Sequence, residues 1–193
     1  GKALVAVPFG KTPFEAWRPL TDDPLPAGYT YEGLHEWMVH TKSYAENEWK
    51  DAEQWNNPTS KILAPGETVS YGVKFLLAGS VREIENALAL AGRPVAVGIP
   101  GYVVPEDVNA KLFLRYGKAV KAMKVEPEGA LDIIDAGVNA KGWRQYEVNG
   151  ITWGRARLTI TYEDGLEQTV NYKIIEPESQ VVASYGNFLT TEQ

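Results

Sequence analysis

Four carboxylates fall between residues 46 and 53: Glu46, Glu48, Asp51 and Glu53, with Trp49 among them and Trp55 just beyond. Two carboxylates about 5–9 Å apart beside aromatic rings are what glycoside hydrolysis requires: one protonates the leaving oxygen, the other attacks or activates water. The competing reading is a solvated acidic loop anchored by its two tryptophans, since no feature of the sequence supplies a reason for a raised carboxyl pKa. Tryptophan is the more telling residue type. Trp17, Trp37, Trp49, Trp55, Trp143 and Trp153 make six in one chain. Flat aromatic faces pack on the C–H faces of sugar rings, while carboxylates and amides hydrogen-bond the hydroxyls. Trp17, Trp37, Trp49 and Trp55, with Glu46 and Glu48, are therefore the candidate carbohydrate-binding residues. The alternative for each tryptophan is filling the core of a large sandwich.

Other chemistries find no support. His35 and His40, the only histidines, are five apart, so a strand would turn them to opposite faces and they cannot share a metal. With no cysteine, disulfides and thiolate metal sites are excluded. The chain has no G-x-S-x-G elbow and no phosphate-cradling glycine loop; Gly98-Ile99-Pro100-Gly101 fits neither. No EF-hand spacing is present. Asn57-Pro58-Thr59 is blocked as a glycosylation acceptor by its proline. No cofactor, metal or catalytic residue is assigned. The 193 residues carry a net charge of −6, a poor match to nucleic acid or an anionic membrane. No apolar run nears the roughly 18 residues of a membrane span, and no charged-then-apolar leader opens the chain.

The elements that would position these residues are mostly strands. Ala3–Val7 reads as a buried strand at which the chain opens abruptly, like a piece of a longer protein. Residues 8–32, dense in proline and studded with Phe9, Phe14, Trp17, Tyr29 and Tyr31, read as a loop. Residues 33–41 read as a strand, and 43–55 as a helical turn or an irregular loop. Thr68–Ala78 alternates with one apolar face, Val69, Tyr71, Val73, Phe75 and Leu77. Ser80 and Glu83 have capping-box spacing for a helix over about 80–91, and Gly92 stops it. Val95–Ile99 is a short strand. The runs 111–116, 120–126, 130–134, 143–149, 151–162 and 166–175 read as strands, with Asn149-Gly150 and Asp164-Gly165 as type I′ hairpin turns. Arg155, Arg157, Thr159 and Thr161 define a solvated face there. Residues 178–190 could start a helix or form a linker, Gly186 opposing a long helix. Strands at roughly ten-residue spacing predict an all-β fold: a large antiparallel β-sandwich with one short helix near 80–91, taken as one domain over 1–193.

The stretches PFGKTPFEAWRPL (8–20), EWMVHTKSYAENEWKDAEQWNNPTS (36–60), LAPGETVSYGVKFLLAGSVREIENAL (63–88), GIPGYVVPEDVNAKLFL (98–114), KVEPEGAL (124–131), WGRARLTITYEDGLEQTVNYKI (153–174) and YGNFLTTEQ (185–193) resemble a family of large, mostly fungal, secreted proteins that look like six-hairpin glycosidases. Members carry an N-terminal β-supersandwich followed by an (α/α)6 helical barrel. The resemblance implies an extracellular protein whose general acid and base lie in a barrel after Gln193, with FLTTEQ as the entry into it. This chain would be the non-catalytic sandwich that supports the barrel and lines its sugar cleft. Its implied partners are an oligo- or polysaccharide and the helical catalytic domain of the same protein. A free-standing lectin-like domain and a structural interaction domain are the alternatives, and a small enzyme using the 46–53 carboxylates is a fourth.

Overall fold

The two-residue periodicity of residues 95–175 folds as eight strands, because each alternation offers one apolar face for burial. A computed structural model describes residues 1–19 and 35–191. Tyr29 and Tyr31 of the expected aromatic loop, and the last residues of FLTTEQ, lie outside the described residues, as does the side chain of His35. Sequence reading treats 1–193 as one domain; the chain divides into two compact units, Gly1–Val81 and Arg82–Gln193.

The second unit is the sandwich. Its strands are β5 (Val95–Ile99), β6 (Val103–Pro105), β7 (Ala110–Arg115), β8 (Val120–Glu126), β9 (Leu131–Val138), β10 (Arg144–Gly150), β11 (Gly154–Tyr162) and β12 (Glu167–Ile175). They form two four-stranded sheets, ordered β5-β7-β10-β9 and β6-β12-β11-β8. All pairings are antiparallel except β6 with β12. The inward residues of both sheets make one continuous core, including Leu112, Leu114, Tyr146 and Val148 from the first and Leu158, Ile160, Tyr162 and Ile174 from the second. The six runs expected between 111 and 175 correspond to β7 to β12.

Several local expectations are corrected. Asn149-Gly150 does not turn a hairpin: both residues pair with β9, and the chain then crosses to the other sheet. The glycine serves close packing instead. A Cβ there would stand 2.6 Å from Ile174 Cγ2 and 2.9 Å from its Cδ1. Asp164-Gly165 does join β11 to β12, but only Gly165 takes a left-handed φ, +79°, the pattern of a type I turn closed by a bulge rather than type I′. On the expected solvated face, Thr159 is buried. The helix near 80–91 begins as a 3₁₀ turn, Val81–Glu83, continues as the α-helix Ile84–Leu90, and has no side-chain cap at Glu83. Its end is as expected. Gly92 is left-handed, and the amides of Arg93 and Gly92 bond the carbonyls of Leu88 and Ala89, a Schellman closure.

The first unit is built from ribbons. β1 (Ala3–Pro8) pairs with β4 (Val73–Ala78), and β2 (Phe14–Pro19) with β3 (His35–Val39), all antiparallel. Residues 14–19 were expected in a loop; Pro13 precedes the six-residue strand and Pro19 is its last residue, so neither interrupts it. The strand expected over 68–78 starts only at Val73, and its apolar face is not buried: Phe75 and Leu77 are exposed opposite Ala6 and Leu4. Between β3 and β4, α1 (Lys42–Glu46) supplies one helical turn. The helix Ile84–Leu90 is α2. Glu178–Thr191 forms α3 through Gly186, contrary to expectation. A glycine costs only about 1 kcal/mol in a helix interior, and Pro177 stands just before the first turn, where a missing N–H is harmless. Val181, Val182, Tyr185, Phe188 and Leu189 recur at helical spacing on α3, and all are exposed.

Candidate functional site

Residues 14–17, Trp37, Trp49 and residues 52–56 of the first unit enclose an open cavity of about 560 Å³. Two strands and a loop build it. In the β2–β3 ribbon Trp17 stands directly opposite Trp37, so both indoles emerge on one face. Phe14 packs on Trp37 at 5.8 Å between ring centres. After α1 the chain turns back on itself: the Trp49 amide donates to the Tyr44 carbonyl at 2.8 Å, and the two rings lie 5.0 Å apart, tilted by 30°. The loop after Trp49 is held by amide side chains. Gln54 Nε2 donates to the Ala52 carbonyl at 3.0 Å, and Asn56 Nδ2 donates to the Glu15 carbonyl at 2.8 Å. Those bonds carry Trp55, Glu53, Gln54 and Asn56 to the cavity wall.

All four candidate tryptophans therefore meet. Trp17, Trp37 and Trp55 are 58%, 46% and 61% exposed, and Trp49 is half-buried. The core-filling alternative does not hold for any of the six tryptophans, since none belongs to the buried core. Trp143 and Trp153 lie in the other unit. The Arg115 guanidinium sits 5.8 Å from the Trp143 ring and the Lys173 ammonium 4.1 Å from that of Trp153, cation–π contacts.

The two candidate carboxylates are placed elsewhere. Glu46 lies on α1, 3.7 Å from the Lys42 ammonium one turn earlier, and Glu48 is exposed; neither lines the cavity. The helix ends at Glu46, so the chain direction changes before it reaches Trp49. The polar wall is formed by Glu53, Gln54 and Asn56 instead. Glu53 belongs to the acidic run, and the two amides flank Trp55 in Gln54-Trp55-Asn56-Asn57, which is the signal that could have found them.

The cavity lining also includes a largely buried carboxylate, Glu15. The β2–β3 register shifts between Phe14 and Ala16, and this bulge re-aims Glu15. Its side chain is buried and accepts four hydrogen bonds. Oε2 takes the Thr41 amide at 2.7 Å, the Thr41 hydroxyl at 2.8 Å and the Thr59 amide at 3.0 Å; Oε1 takes the Thr59 hydroxyl. Burial alone would raise its pKa, but the bonds from Thr59 and Thr41 together outweigh it and hold the carboxyl below its ordinary value. A lowered pKa suits Glu15 to the role of a structural anion rather than to that of a proton donor. Among the described residues no three His, Asp or Glu side chains gather as metal ligands, and no described helix is long and apolar enough to cross a membrane.

The chain belongs to the family of unknown function DUF5695, which matches residues 1–193. No curated protein and no solved structure matches it.

Proposed function

We propose that this member of DUF5695 is a carbohydrate-binding β-sandwich protein, and that the cavity walled by Trp17, Trp37, Trp49 and Trp55 is where the sugar lies. The observation that carries the reading is the convergence of Trp17, Trp37, Trp49 and Trp55 on one cavity bordered by a carboxylate and two amides. Aromatic faces left exposed in a concave wall cost solvation unless a ligand covers them. The volume falls in the roughly 300–1,000 Å³ range of small-molecule sites, enough for a short stretch of glycan.

Titration calorimetry with neutral oligosaccharides, guided by a glycan array, tests this. Trp55→Ala and Trp17→Ala each weaken binding by about tenfold, or 1.4 kcal/mol, with an unchanged melting temperature, since both rings are largely exposed. A chain that binds no glycan on the array, or whose affinity survives both substitutions, refutes the reading.

In the same reading the chain is the non-catalytic module of a secreted, glycoside hydrolase-like protein and supports a helical catalytic domain of that protein. The exposed apolar stripe of α3 favours this over a free-standing lectin. Hydrogen exchange at α3 distinguishes the two: protection that appears only when the helical domain is present supports the scaffold role, and identical exchange with and without it rejects that role.

A further inference from the structure

We propose that Tyr71 is a nucleophilic phenol, activated by His40 as general base in a Glu15–Thr59–His40–Tyr71 relay, and that it reacts with electrophilic acyl or sulfonyl groups. All four residues lie in the unit Gly1–Val81, and the inference stands whether or not the cavity takes a sugar.

The donors and acceptors fix the direction of the relay. Glu15 accepts every bond made to it, so the single hydroxyl proton of Thr59 points to Glu15 Oε1. Thr59 Oγ1 can then only accept from His40, whose Nδ1 lies 2.8 Å away. That places the proton of neutral His40 on Nδ1 and leaves Nε2 as an acceptor. Nε2 is hydrogen-bonded to the Tyr71 hydroxyl, which must therefore be the donor. The rings meet edge to face, 5.1 Å apart. A base oriented by a third group and bonded to a hydroxyl is the arrangement that activates nucleophiles. Glu15 and Thr59 act through His40 and are positioning residues. Tyr71 reaches solvent, with 39% of its surface exposed.

His40 adds an independent sign. Its φ of +58° makes it the only non-glycine residue with positive φ among those described. Such a conformation is strained for a residue with a Cβ and persists where the surroundings enforce it. Here the enforcing contacts are the two bonds from Thr41, the next residue, to Glu15.

The step balances without any further reactant. The phenolic oxygen forms a bond to the acyl carbon or sulfonyl sulfur, and the leaving group departs with its bonding electrons. The phenol proton passes to His40 Nε2. The resulting imidazolium is stabilised through Thr59 by the charge of Glu15.

The alternative is an inert clamp in which the same bonds only hold the segments together. Tyr71 would then react no faster than its exposure allows. An aryl sulfonyl fluoride at limiting dose, with modified peptides quantified by mass spectrometry, separates the two. Tyr185, 63% exposed on α3, is the internal reference. The relay predicts that Tyr71 is modified about tenfold faster than Tyr185, at the modest end of general-base effects. Thr59→Val and His40→Asn lower Tyr71 to the reference rate; asparagine tolerates the left-handed backbone of residue 40. Thr59→Ser keeps the hydroxyl and restores the rate. Faster modification of Tyr185 in the unaltered protein, or an unchanged Tyr71 rate in Thr59→Val, overturns the proposal. The first comparison needs no variant and so holds even if a substitution prevents folding.

Discussion

The two units bury opposite things. In Arg82–Gln193 the interior is a continuous apolar slab of fifteen residues drawn mainly from two sheets, and among the described residues Thr159 is the one buried polar side chain there. In Gly1–Val81 the buried residues include Val7, Met38 and Ala78, but also Thr12, Glu15 and Thr41. Its organising feature is an anion wrapped in hydrogen bonds, while aromatic and aliphatic side chains such as Trp17, Trp55, Phe75 and Leu77 stay exposed. The contrast teaches how one chain divides its work. The sandwich is held by its buried apolar slab, whereas the ribbons, held by a polar hub, gather exposed aromatic faces around one cavity.

The largest expected effect tests the apolar half. Leu112→Ala removes a fully buried side chain and costs about 3–4 kcal/mol, read from urea unfolding; strands β5 to β12 should lose their hydrogen-exchange protection. A cost under about 1 kcal/mol would mean that burial is not what holds this unit. Next comes the hub. Glu15→Gln replaces one accepting oxygen by an amide N–H, leaves donors of Thr41 or Thr59 without an acceptor, and should cost about 2–3 kcal/mol. The sign of its pH dependence follows from a folded pKa lowered relative to the unfolded one. The stabilisation is fully present above the unfolded value, near 4.5, and is lost as pH falls through the folded value. Thermal melts at pH 7 and pH 3 should therefore show a penalty for Glu15→Gln at pH 7 that shrinks at pH 3. An equal penalty at both values would contradict the ionised hub.

Smaller changes sharpen the contrast. Gly150→Ala forces a methyl against Ile174 and should cost about 2 kcal/mol by overpacking; a calorimetric melt unchanged from the parent would show that the two sheets have room to spare. The smallest effect is expected at Thr159, whose buried hydroxyl finds no hydrogen-bond partner among the described residues. Thr159→Val should be neutral or stabilise by up to about 1 kcal/mol, and a clear loss in chemical denaturation would reveal a bond that the geometry does not show.

Much of the second unit was legible because strand periodicity is a local property. The alternations around Leu112, Val148, Leu158 and Ile174 give β7, β10, β11 and β12 to within a few residues. The hairpin signal at Asn149-Gly150 misled, since a turn dipeptide and a close-packed glycine look alike until the partner, Ile174, is known. Sequence reading leaves residues 178–190 open between helix and linker because of Gly186, but one glycine weighs little against apolar residues recurring at helical spacing from Val181 to Leu189. In the first unit proline density hid β2, since a strand tolerates proline at its margin, and the apolar alternation of 68–78 suggested a buried face where the ribbon exposes one.

Residue types alone fixed the chemistry on offer: six indoles, abundant carboxylates, no thiol and two imidazoles. They also fixed the strand class, because alternation needs only neighbours in the chain. Which groups meet was decided in three dimensions. Trp17 and Trp37 are brought together by ribbon register, Trp49 and Trp55 by a loop fold, and Glu15, Thr59, His40 and Tyr71 by contacts spanning up to 44 residues. Spacing along a chain carries no information about such pairings, since they depend on the closure of loops whose energies are summed only over the whole folded unit.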